Sequence, residues 1–111
     1  MTDTYRAADY RLAEALRDAV CPQDPGLLQM VQGELDCEGP DGPIELCAQM
    51  VRRKGLALPP ELIPELRRYR NDIRDELRAG GYDNSCAGCK QFAQKTIREI
   101  DAAIGYTIGE P

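Results

Sequence analysis

Apolar positions recur along the chain at intervals of three and four, and the longest consistent run lies between Pro59 and Gly105. Leu62, Leu66, Tyr69, Ile73 and Leu77 keep to one stripe of a helix with about 3.6 residues per turn, while arginines and carboxylates fill the other positions. Arg68 and Asp72 stand at i,i+4, a spacing that favours an ion pair. Pro60 suits the first position of a short opening turn, and the helix proper is predicted from about Pro64 to the Gly80-Gly81 stop. A second arm carries Cys89, Ala93, Thr96 with Ile97, Ile100 and Ile104 on its apolar stripe, with Phe92 beside it. Asp83, Asn84 and Ser85 each offer a side-chain oxygen to cap it. The two arms are expected to pack as an antiparallel hairpin.

Earlier in the chain the same periodicity predicts three more helices. Thr2, Asp3 or Thr4 can cap the first, which runs to about Val20 with Tyr5, Ala8, Leu12, Leu16 and Ala19 on one face. Cys21-Pro22 ends it, because proline disfavours a helical conformation at the residue before it. Asp24-Pro25 reads as N-cap and first position of the second helix, which bears Leu27, Leu28, Val31 and Leu35. Residues 37–43, rich in Gly and Pro, read as a loop. Pro43 then opens a third helix with Ile44, Cys47, Ala48 and Val51 on one face, and Gly55 stops it after Arg52, Arg53 and Lys54. No period-two alternation is sustained anywhere, and residues 106–111 show no helical pattern and are expected to form a short disordered tail. The expected fold is all-α: a small four- to five-helix bundle with a C-terminal helical hairpin, formed by residues 1–111 as one domain.

Charge narrows the range of partners. The chain of 111 residues has 14 basic and 19 acidic side chains, a net charge of −5 and a pI near 4.7. Without a dense basic stretch it is a poor ligand for nucleic acid or for an anionic membrane surface. Residues 1–40 hold eight acidic and three basic side chains, whereas residues 41–80 hold seven and eight, so a basic partner would be drawn first to the N-terminal helices. No stretch has the length and apolarity of a secretory leader or membrane span, which makes the cytoplasm the expected location.

The absence of histidine removes Ser-His-Asp and Cys-His nucleophiles, a histidine base and every histidine-containing zinc site. Carboxylates are abundant but alternate with arginines on polar helix faces. Five cysteines remain, and Cys86 and Cys89 form a CxxC pair at a helix start. Three readings fit that pair: small apolar residues facing a core, an exchanging dithiol, or two ligands of a zinc or iron-sulfur centre completed from Cys21, Cys37 or Cys47.

The apolar face of the first helix, through Tyr5, Leu12 and Leu16, is either a wall of the bundle or a docking surface for another chain. Leu46, Met50, Leu56 and Leu58 fall off the core stripes, and surplus apolar positions of this kind predict association, as a homodimer or with a different protein. The chain is therefore expected to be a non-enzymatic protein-binding regulator, such as an adaptor, inhibitor or anti-activator of a larger enzyme or transcription regulator. The alternative is a thiol-based metal or redox module built on Cys86 and Cys89.

Overall fold

The computed structural model describes residues 7–83 and 87–109. Five α-helices stand among them: α1 (Ala7–Val20), α2 (Leu27–Glu38), α3 (Asp41–Lys54), α4 (Ile63–Arg78) and α5 (Ala87–Ile108), with no strand. Short 3-10 turns at Cys21–Gln23 and Pro60–Leu62 precede α2 and α4. The proposed caps Thr2, Asp3, Thr4, Asn84 and Ser85, together with Tyr5 and Cys86, lie outside the described residues.

Three helix boundaries differ from the sequence pattern, each for a physical reason. Asp24 and Pro25 do not open α2: Gly26, with φ of +89°, is the residue before its first turn. The Asp24 carboxylate is instead held by Lys54 Nζ at 2.9 Å, at the far end of α3. The loop expected over residues 37–43 shrinks to Gly39-Pro40, because Pro43 falls in the first turn of α3, where its missing N–H has no intrahelical partner to lose. At the C-terminus α5 continues through Gly105 to Ile108 rather than ending in a disordered tail. Burial of Ala103 and Ile104 outweighs the roughly 1 kcal/mol cost of glycine within a helix.

Other expectations hold. Pro60 begins a 3-10 turn and Pro64 sits in the first turn of α4. Gly55 ends α3 in the left-handed region, at φ of +64°, and Leu56 N–H bonds back to Val51 O at 3.2 Å. A side chain there would also meet the Tyr106 hydroxyl at 2.9 Å.

The helices alternate in direction. Arg68 and Tyr69, adjacent on α4, reach Asp9 near the start of α1 and Asp41 at the start of α3, so those two helices begin at the same level. Beyond their other ends, Gln23 bonds Ala57 through both its amide nitrogen and its oxygen. Lys95 pairs with Glu45 and Glu99 with Arg52, an ascending register that sets α5 parallel to α3. Arg70 Nη1 meets Asp101 at 2.6 Å across the α4–α5 hairpin.

At the centre lies α3, in contact with α1, α2 and α5. Its Ile44, Cys47, Ala48 and Val51 meet Leu12, Ala13, Leu16 and Val20 of α1, Val31 of α2, Leu66 and Tyr69 of α4, and Ile100 and Ala103 of α5 in one apolar cluster. Leu46 and Leu58 are buried in that cluster, and Met50 and Leu56 pack against it. None of the four is therefore surplus apolar surface: Leu46 and Met50 are engaged because α3 is covered on more than one side, and Leu56 and Leu58 lie against the same cluster in the segment that follows it. No helix of the described residues is long and apolar enough to cross a membrane.

Replacing Leu16, which is fully buried, by Ala should cost about 2–5 kcal/mol of unfolding free energy in urea. Gly33→Ala and Gly105→Ala should each gain up to about 1 kcal/mol, since both glycines are helical and an added Cβ meets nothing within 4 Å. A loss at Gly105 would show that the end of α5 is not helical in solution.

Candidate functional site

The residues singled out by pattern do not converge. Leu12 and Leu16 are 3% and 0% exposed, so the apolar face of α1 is engaged by the rest of the chain and is not a free surface in this fold. Cys89 is exposed in the first turn of α5 and does not share the apolar stripe that the spacing assigned to it; the buried face of that helix starts at Ala93. Cys37 is exposed on α2. No group of three or more Cys, Asp or Glu side chains suited to a metal ion occurs among the described residues.

Large apolar side chains are exposed on α1 at Tyr10, on α5 at Phe92, Tyr106 and Ile108, and on α2, where the charge is one-sided. This helix has three carboxylates, Glu34, Asp36 and Glu38, and no lysine or arginine. Neither Glu34 nor Asp36 has an ion-pair partner among the described residues, although Asp36 accepts a hydrogen bond from Gln32 Nε2 at 2.9 Å. Amid this negative charge Leu28 and Met30 are 52% and 59% exposed. Because Leu27, Val31 and Leu35 face inward, Met30, Gly33 and Cys37 follow one another along the outer side of the helix. Leu28 leans toward α1. There it walls a groove of about 370 Å³ with Pro22, Cys21, Arg17 and Asp18. Arg17 braces that wall, donating from Nε to Asp18 at 2.9 Å and from Nη1 to Gln32 at 3.0 Å.

A second polar cluster ties α1, α3 and α4 together. Arg68 holds Asp9, Glu65 and Asp72 at 3.1, 3.3 and 3.0 Å, which includes the expected i,i+4 pair. Beside it the Tyr69 hydroxyl donates to Asp41 Oδ1. Burial pushes the Asp41 carboxyl above its ordinary value, against the opposing effect of the Tyr69 hydrogen bond, and the Asp9 charge pushes the same way as burial. Burial and the neighbouring Asp41 charge push the Tyr69 phenol far up. The tyrosine is only 3% exposed, so this arrangement clasps three helices rather than presenting an acid or base to a substrate.

The fifth helix adds a polar seam against α3. Glu99 accepts from Arg52 Nη2 at 3.1 Å, and Lys95 Nζ lies 3.2 Å from Glu45 Oε1, off the axis needed for a hydrogen bond. These long basic side chains bring charge to the rim while both carboxylates stay largely buried. Sequence inspection missed this seam because Glu45 and Glu99 look like ordinary surface carboxylates.

The raised Tyr69 value has a measurable consequence. Its folded form keeps a proton that the unfolded chain releases near pH 10, so stability should fall as pH rises above 10, by up to about 1.4 kcal/mol per pH unit. Tyr69→Phe should lessen that slope by one proton's worth, the raised Cys21 and Cys47 thiols still contributing, while lowering stability at neutral pH, where Asp41 loses its donor. Asp41 acts in the same direction at the acid end, its contribution being largest below the unfolded value and lost as pH rises through the folded one. Urea titrations from pH 4 to 11 on the wild type, Tyr69→Phe and Asp41→Asn check both slopes.

No protein-family model, curated protein or solved structure significantly matches the chain.

Proposed function

We propose that the chain is a non-enzymatic regulator, an adaptor, inhibitor or anti-activator, that binds a larger protein through the exposed surface of α2. The observation carrying this reading is the pairing of two large, more than half exposed apolar side chains with a helix that has acidic but no basic residues. Covering the exposed halves of Leu28 and Met30 would contribute about 1 kcal/mol or somewhat more each. The uncompensated Glu34 and Asp36 select a basic partner and speed its approach. An amphipathic helix with basic flanks supplies both properties and could lay its apolar side along the groove beside Leu28. The α1 face is not needed for this contact, since it is already committed to the core.

A photo-reactive residue at position 30 should cross-link a partner in cell extract, whereas one at Arg98, exposed on α5, should not. With that partner purified, Leu28→Glu/Met30→Glu should weaken binding at least tenfold, about 1.4 kcal/mol, with helical circular dichroism unchanged. Association should slow as salt rises from 50 to 500 mM, over which the Debye length shortens from about 14 to about 4 Å. Retained affinity in the double variant would overturn the assignment to α2. Loss of affinity in Cys86→Ser/Cys89→Ser instead would move the function to the thiol pair.

A further inference from the structure

Two helices of opposite charge border one strip of α3. Gly42, Gln49 and Arg53 recur at i, i+7 and i+11 and so share a side of that helix. α2 lies along one edge of the strip, where a Cβ on Gly42 would collide with the Glu34 carboxylate. α5 lies along the other edge, where Lys95 and Glu99 pair with Glu45 and Arg52. On α2, Leu28 and Gln32 turn toward Arg17 of α1, which leaves Met30 and Glu34 on the flank beside the strip. On α5, Asp101 turns toward Arg70 and Arg74 of α4. Phe92, Lys95 and Tyr106 therefore stand on the flank beside the strip, with the Tyr106 hydroxyl over the Gly55 position and Arg98 exposed next to Lys95. The resulting face has an acidic side with the exposed Met30 and a basic side with the exposed rings of Phe92 and Tyr106.

We propose that this face is the contact of a symmetric dimer, its partner a second copy of the same chain, with the two-fold axis parallel to α3. The levels of the charges select that axis. Glu34 stands level with Gly42 and Lys95 level with Glu45, less than one helical turn apart along α3. Rotation about an axis parallel to α3 preserves level and exchanges the two sides. Each α2 then lies over α5 of the other copy, Glu34 against Lys95 and Arg98, with Met30 and Phe92 covered in the same seam. A two-fold axis across α3 would instead set α2 on α2, acid against acid, which electrostatics disfavours. Every copy supplies both charges to one self-complementary contact, so association closes at two. The dimer covers Met30 and leaves the groove beside Leu28 open.

The test uses the purified full chain under reducing conditions, which prevent a disulfide through the exposed Cys37. Sedimentation equilibrium should show monomer and dimer exchanging in the micromolar range, with dissociation promoted by salt. Glu34→Lys should weaken the dimer at least tenfold, and so should Gln91→Glu/Arg98→Glu, all three residues being exposed. An equimolar mixture of those two variants should recover a dimer containing one of each, a result that misfolding of either could not produce. A photo-reactive residue at position 98 should join two copies through α2, a product of twice the chain mass and thus distinct from a complex with a different protein. A chain that stays monomeric at every concentration would overturn the proposal. So would a dimer indifferent to both charge changes, or one cross-linked from position 98 to α5. None of these readouts needs another protein, so the result stands apart from the fate of the regulatory contact at α2.

Discussion

The structure depends on covering α3. Pro43 to Gln49 and Val51 are buried almost without interruption, which no single neighbouring helix can achieve, since one helix shields only a stripe of another. The other helices can be understood from that demand. α1, α2 and α5 each take one side, and α4 closes the arrangement by packing on α5 and reaching α1 and the start of α3 through Arg68 and Tyr69. The hairpin of α4 and α5 thus contains the longest periodic pattern in the sequence, yet it is α3 that its α5 arm covers, with α4 closing the outside.

Complete coverage has an electrostatic cost, because the buried circumference of α3 includes Glu45 and Gln49 and the facing side of α5 includes Glu99. Leaving such groups unpaired would cost several kcal/mol, and the fold avoids this with basic side chains that start at the edge and reach inward. Arg52 reaches Glu99, and Lys95 reaches Glu45. Gln49, with its amide oriented by the network, accepts from Arg53 Nη2 at 3.0 Å. The run Arg52-Arg53-Lys54 therefore does more than complement a helix dipole. Each member anchors a different acceptor: Glu99, Gln49 and Asp24.

The all-α class, the hairpin, the stop at Gly55 and the split between the opening turn at Pro60 and the helix from Ile63 were legible because each has a local cause, either a 3.6-residue period or the stereochemistry of Gly and Pro. What was not legible is nonlocal. A helix buried on several sides, as α3 is, lacks a single clean stripe, so Leu46 and Met50 looked surplus. The α5 stripe includes Cys89 by spacing, yet burial begins only at Ala93, because α5, at 22 residues, is longer than the 14-residue α3 beside it. The α2 surface was half legible. Its acidic excess showed in the charge distribution, but Leu28 was assigned to the inner face, from which it is rotated toward the groove.

An odd number of helices in alternating directions leaves Ala7 and Ile108 at opposite ends of the bundle, whose longest dimension is 38 Å. Joining those points would need a link at least as long as α1, whose 14 residues span about 21 Å at 1.5 Å each, and so at least six or seven fully extended residues at about 3.3–3.6 Å each, routed around the outside. Circular permutation is correspondingly awkward for this architecture, because the link would have to run along one flank of the bundle.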